Sequence, residues 1–140
     1  MTRHQTTLTE LARLGFAELG ETNERLASLD KPQLVAHFAG AADPDQALRL
    51  LMALRESAPD ATAAVLGDDE AAYRLIQVLG ASAGLGEFFT RRPEQLDCLL
   101  APIAAPLTAA EYDADLLAAV EGLQGDAAWV ALRVRYRRHL

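Results

Sequence analysis

One stretch constrains this chain more than any other. Residues 78–100 read Val-Leu-Gly-Ala-Ser-Ala-Gly-Leu-Gly-Glu-Phe-Phe-Thr-Arg-Arg-Pro-Glu-Gln-Leu-Asp-Cys-Leu-Leu. An apolar run ends at Leu79 and is expected to stop at Gly80. Ser82 can then cap a new short helix, because its hydroxyl accepts from a first-turn backbone N–H that has no partner within the helix. Leu85, Phe88 and Phe89 follow at spacings of three and four, which puts them on one helical face. Pro93 closes that helix, since the residue before a proline is driven out of the helical region. Leu96, Leu99 and Leu100 start another apolar face. The small residues Gly80, Ala81, Ala83, Gly84 and Gly86 suit two helices meeting at a tight corner.

The flanking sequence carries helix signals of the same kind. Thr7-Leu-Thr-Glu10 has the spacing of a capping box, in which the Thr side chain and the Glu side chain each satisfy the other's backbone N–H. Leu8, Leu11, Leu14 and Phe16 follow as a short apolar face, with Gly15 and Gly20 limiting the helix. Thr22 is placed to cap residues 23–29, and Asp30 with Pro32 to open a helix carrying Leu34, Val35 and Phe38 that ends at Gly40. Asp43-Pro44 is a strong start, a capping carboxylate followed by a proline whose missing N–H costs nothing there. Ala47, Leu48, Leu51, Met52 and Leu54 form a wide stripe up to Pro59. A short helix is expected over 61–66, although Val65-Leu66 by itself would also suit a strand. Asp68-Asp69-Glu70 sets negative charge at the next helix start, where the dipole favours it, ahead of Tyr73, Leu75, Ile76, Val78 and Leu79.

Residues 101–107 form a loop with Pro102 and Pro106. Thr108-Ala-Ala-Glu111 is a second capping box, before a helix through Leu116, Leu117 and Val120 that ends near Gly122. Gly125-Asp126 starts the last helix. There Trp129, Leu132 and Tyr136 form a stripe flanked by Val130 and Val134, with Arg133, Arg135, Arg137 and Arg138 on the other side. The pattern runs to Leu140 without a stop signal. The sum is an all-α fold, an irregular bundle of about eight to ten short helices with no sheet, read as a single α-helical domain over 1–140. The abundance of alanine and leucine supports it.

Composition narrows the function classes. A net charge of −7 argues against a dedicated nucleic-acid binder. No apolar run approaches the roughly 20 residues of a membrane span, and the polar start is no signal peptide, so a cytoplasmic protein is expected. Cys98, the single cysteine, excludes an internal disulfide framework and is expected as a small core residue among Leu96, Leu99 and Leu100.

No catalytic, cofactor-binding or metal-binding residue emerges. Asp43-Pro-Asp45 and Asp113-Ala-Asp115 read D-x-D, the pairing that holds magnesium for phosphoryl transfer when both carboxylates share a strand face. Here the first sits at a helix cap and the second inside a helix, where residues two apart do not face each other. The glycines at 80, 84 and 86 match no phosphate-binding pattern and follow no strand, so helix-corner packing is the better reading. His4, His37 and His139 are scattered, with no metal-ligand spacing. Nothing selects a Ser82–His37–aspartate set, and no nucleophile elbow is present. The 133–139 arginine cluster could touch phosphate or RNA, but it reads better as a solvated face at a helix C-terminus, or as a docking surface for further sequence.

With these stretches in view, the chain resembles the N-terminal part of the bifunctional glutamine synthetase adenylyltransferase/adenylyl-removing enzyme family, in its high-GC bacterial form. Leu79-Gly-Ala-Ser-Ala-Gly-Leu-Gly-Glu-Phe-Phe-Thr-Arg-Arg-Pro-Glu94 is similar to the family's segment of small residues, helix and basic residue before Pro-Glu. Ala41-Ala-Asp-Pro-Asp-Gln-Ala-Leu48 is similar to the helix opening ahead of it. Ala131-Leu-Arg-Val-Arg-Tyr-Arg-Arg-His-Leu140 resembles the start of the arginine-rich helix that leads into the first nucleotidyltransferase domain.

The resemblance implies a helical subdomain preceding an adenylyl-removing domain that lies outside these residues. It implies ATP and Mg2+ as cofactors of the full-length enzyme and none in this chain. It also implies glutamine synthetase and a PII-type signal protein as partners through that enzyme, with no nucleic acid and no membrane. No catalytic residue carries over, because the family's Gly-Ser turn and spaced carboxylates have no match here. The Trp129–Tyr136 stripe is then expected to pack against following sequence. The other reading is a free-standing acidic α-helical interaction module.

Overall fold

A computed structural model describes residues 6–140, so His4 lies outside the described residues. Among the described residues the secondary structure is eight α-helices and two 3₁₀ segments, with no strand, as the all-α expectation requires. The helices are α1 (Leu8–Arg13), α2 (Leu19–Ser28), α3 (Pro44–Ser57), α4 (Pro59–Leu66), α5 (Asp69–Ala81), α6 (Ala83–Arg91), α7 (Ala109–Ala119) and α8 (Gly125–Arg137). The 3₁₀ segments are Pro32–Phe38 and Pro93–Leu99. None of the described helices is long and apolar enough to cross a membrane. The chain falls into two compact units, one running up to Leu100 and the other Ala101–Leu140.

The first unit is organised on the α3–α5 pair, with the two 3₁₀ segments, α4 and α6 packed around it. Leu48, Leu51 and Leu54 of α3 and Leu75, Ile76 and Leu79 of α5 are buried outright, as their spacing predicts. Each such side chain contributes roughly 1.5–3 kcal/mol of burial. Leu34 and Phe38 close one side, with Phe38 tilted against Phe16 at 5.3 Å between ring centres. Phe88, Phe89, Leu96 and Leu99 close another.

Carboxylates and hydroxyls set most of the helix starts. Asp43 accepts from Gln46 N at 2.9 Å, Asp68 from Ala71 N at 2.8 Å and Ser82 from Leu85 N at 3.2 Å. Both Thr-x-x-Glu sequences close as capping boxes, at α1 and at α7. Pro59 is the first residue of α4, so that helix starts two residues earlier than the predicted Ala61.

Four local expectations are corrected. Thr22 does not cap a helix over 23–29. The helix already begins at Leu19, and Thr22 lies buried inside it with its hydroxyl donating to Glu18 O at 2.7 Å. The chain just ahead of α2 is tied to α3, because the Asp45 carboxylate accepts from Ala17 N at 2.8 Å and Glu18 N at 3.3 Å, and no side chain caps the helix itself. A carboxylate that arrives from 28 residues away leaves no trace in the local sequence. Asp30 opens no helix. With φ at +51° it closes the end of α2, its N–H donating to Ala27 O, and Lys31 precedes the 3₁₀ segment. Leu8 is exposed rather than part of the core face, since only Leu11 of α1 is buried.

The fourth concerns the glycine corner. Gly80 does not stop α5, which runs on to Ala81. A Cβ at Gly80 would stand 3.2 Å from both Ala41 Cβ and Asp43 O. The missing side chain therefore lets the end of α5 lie against the start of α3. Gln46 ties the same place, donating to Leu79 O at 2.8 Å. Gly86 has the same use in α6, where a Cβ would come within 2.7 Å of Leu50 Cδ1 and 3.3 Å of Leu79 Cδ2. The expected close approach thus rests on Gly80 and Gly86. Gly84 faces little but Ser82 Oγ at 3.8 Å.

The second unit is an α7–α8 pair. Gly122, at φ +75°, ends the turn after α7 as expected. The two helices pack on each other, yet no residue of Ala101–Leu140 is buried. Leu117, Trp129 and Leu140 are all more than half exposed.

Candidate functional site

The acidic pairs are the first candidates for chemistry. Asp43 caps α3, and Asp45 holds the Ala17 and Glu18 N–H groups. Asp113 is exposed on α7, whereas Asp115 faces α8. There Arg135 donates two bonds in parallel, Nε to Asp115 Oδ2 at 2.7 Å and the terminal nitrogen to Oδ1 at 2.6 Å. His139 Nε2 lies 2.7 Å from the same Oδ2, and its ring stands edge-on to Tyr112 at 5.0 Å between ring centres.

The Arg135 guanidinium, and after it the His139 ring, hold the Asp115 carboxyl well below the usual carboxylate range. Both oxygens of Asp115 are thereby taken by cationic or ring donors. Neither D-x-D pair fits a magnesium site: Asp43, Asp45 and Asp115 face N–H donors and a guanidinium rather than a shared cavity. Among the described residues, no three His, Cys, Asp or Glu side chains are grouped to hold a metal ion.

The nucleophile candidates are likewise engaged in structure. Ser82 uses its hydroxyl oxygen on Leu85 N–H. His37 pairs with Asp69 Oδ1 at 2.8 Å and lies edge-on to Tyr73 at 5.7 Å between ring centres. Cys98 is half-buried in its 3₁₀ segment rather than enclosed in the core between Leu96 and Leu99. The glycines at 80 and 86 pack helices, and no phosphate cradle results.

The arginine cluster is the candidate the structure changes most. Sequence periodicity places Trp129, Leu132 and Tyr136 on one stripe and the arginines opposite. In α8 the exposed residues include Asp126, Trp129, Val130, Arg133, Tyr136 and Arg137. Leu132, Val134 and Arg135 are half-buried, and Arg135 is held by Asp115. The apolar and basic residues are therefore interleaved on one exposed face. The Asp115–Arg135 pair, spanning 20 residues, fixes that rotation and has no local signature that would have announced it.

The chain's relatives give this arrangement its context. A bifunctional glutamine synthetase adenylyltransferase/adenylyl-removing enzyme of Leifsonia xyli is 47% identical over 152 aligned residues, covering all of this chain and 15% of the relative. The chain is homologous to a segment of that enzyme. An enzyme of the same name from Streptomyces avermitilis is 32% identical over 155 residues, covering 99% of this chain and 14% of its own length. The segment therefore spans about one seventh of the adenylyltransferase relatives it matches. No family model matches it, and no solved structure matches it.

Proposed function

We propose that this chain is the helical N-terminal part of a cytoplasmic bifunctional glutamine synthetase adenylyltransferase/adenylyl-removing enzyme. In this reading it supports or regulates the catalytic domains and holds no catalytic residue of its own. The observation that carries the reading is identity of 47% across the whole of this chain against 15% of a much longer enzyme. The engagement of Asp43, Asp45 and Asp115 in caps and ion pairs supports the second half of it. The full-length enzyme would add AMP from ATP to a tyrosine of glutamine synthetase and remove it, with Mg2+ held by carboxylates outside these residues. Glutamine synthetase, and a PII-type signal protein, would then be partners of the whole polypeptide.

Two measurements test this. The reading frame around the chain should encode a Gly-Ser turn followed by spaced carboxylates on strands. The 140-residue chain should show no turnover on adenylylated glutamine synthetase, where the longer polypeptide does. Release of AMP or ADP by the chain alone would overturn the proposal. A frame encoding only these helices would favour a free-standing interaction module instead.

A further inference from the structure

Helix α2 is fastened to α3 at both ends. Ahead of its start, the Ala17 and Glu18 N–H groups donate to the Asp45 carboxylate in the first turn of α3. At its finish, the Ser28 carbonyl accepts from Arg55, in the last turn of α3, at 2.8 Å. Asp45 and Arg55 stand ten residues apart, and so do Glu18 and Ser28. Ten helical residues rise by about 15 Å, so like ends of the two helices meet and one register satisfies both ties. Both ties are exposed, and between them α2 buries only Thr22 and Leu26 of its own residues. Helix α1 packs on α2 more than on any other element, and in the link between them Leu11 O accepts from Phe16 N. That link rests on the Phe38 ring through Phe16 and on Pro44 through Gly15, where an added Cβ would stand 3.4 Å from the proline ring. After Leu29 the chain turns through Asp30, at φ +51°, into the first 3₁₀ segment.

We infer that residues 8–29 form a strap that opens and closes over Phe38 as one body, while α3 and α5 stay packed together. Opening breaks the two ties and withdraws Phe16 from Phe38. It leaves the buried stripes of α3 and α5 facing each other. Because α1 packs chiefly on α2, it leaves with α2 rather than staying behind. Few buried side chains and solvent-exposed hydrogen bonds are the features that place a segment at the low end of local stability. The first unit then has two states, with the Phe38 ring covered in one and open in the other. Anything that binds one of them preferentially shifts the balance between them.

Native-state hydrogen exchange on the 140-residue chain tests the strap, with Arg55→Gln and Asp45→Ala as variants. In the unsubstituted chain the bonded amides of α1 and α2 should open with one shared free energy, below that of α3 and α5. Arg55→Gln should speed exchange about three- to tenfold, the range for a net hydrogen bond of ordinary strength. The factor should be the same in α1 as in α2, and amides 48–54 of α3 and those of α5 should not change. Arg55 acts at the end of α2 farther from the link to α1, so an equal effect at the Leu11 and Leu14 N–H groups requires the two helices to move together. Asp45→Ala should produce the same pattern from the other end. Faster exchange confined to residues 26–29 in Arg55→Gln would mean that the helix end frays alone, and would overturn the strap. A single opening free energy across α1, α2, α3 and α5 would overturn it as well, since the whole unit would then unfold together. Either of these results leaves the proposed function standing.

Discussion

Helices α1 and α7 begin in the same way and end up in different circumstances. Each opens with a Thr-x-x-Glu capping box whose bonds lie between 2.7 and 3.3 Å. In the first unit, α1 sends Leu11 into a closed core. In the second, α7 buries nothing, and Leu117 is 68% exposed. Caps decide where a helix starts, and apolar spacing decides which way it faces. Neither decides whether anything covers that face. The unit up to Leu100 supplies its own cover through α3 and α5. The 101–140 unit is a helix pair with no buried residue, whose Asp115 carboxylate meets Arg135 and His139.

The largest test of this contrast is a pair of truncations. Leu75→Ala, at a fully buried position, should cost about 2–5 kcal/mol in urea unfolding. Leu117→Ala should stay within about 0.5 kcal/mol. Equal costs would mean the two units are not differently packed. Next, Gly80→Leu should lower stability by about 1–3 kcal/mol, because Ala41 and the Asp43 carbonyl leave no room for a branched side chain. A neutral result would show that α5 can retreat from α3.

Asp115→Asn separates the units more finely. Its ion pair with Arg135 is partly solvated, so the loss should be no more than about 1 kcal/mol. Exchange should quicken in α7 and α8 and stay unchanged in α3 and α5. Acid should act in the same direction. The Asp115 carboxyl is held below its ordinary value, so the folded form binds that proton less readily than the unfolded form. The stabilisation is therefore complete above about pH 4 and declines as pH falls below it. Protection factors in α7 and α8 that stay flat from neutral pH to pH 3 would contradict the assignment. The smallest effect is expected from the caps, where Thr7→Ala and Thr108→Ala should each cost about 0.5–1 kcal/mol. A larger loss at Thr108 would show that a helix without buried residues leans more on its cap.

Much of this was legible in advance, for identifiable reasons. Asp43-Pro44, Asp68, Ser82 and both capping boxes act within three residues of themselves, so local spacing reveals them. The α3 and α5 stripes are dense enough that burial follows from the pattern. Long-range contacts escaped. Asp45 reaches back to Ala17 and Glu18 just ahead of α2, and Thr22 lies inside that helix with its hydroxyl on Glu18 O. Arg135 turns to Asp115, so α8 shows arginine and tryptophan together on its outer side. The homologous relationship to the adenylyltransferase enzymes was legible from the corner around Gly80 and Gly86, where packing leaves little choice of residue.

Ser82 is at once the last cap of α5 and the first cap of α6. Ala58 joins α3 to α4 in the same way, and Arg92 joins α6 to the Pro93 segment. Junctions one residue long have no slack. A single inserted residue after Ser82 would swing α6 through about 100°, carrying Phe88 and Phe89 out of their seats. Alignments to the relatives extend over more positions than this chain has residues. An extra residue at any of these three junctions would force the first unit to repack.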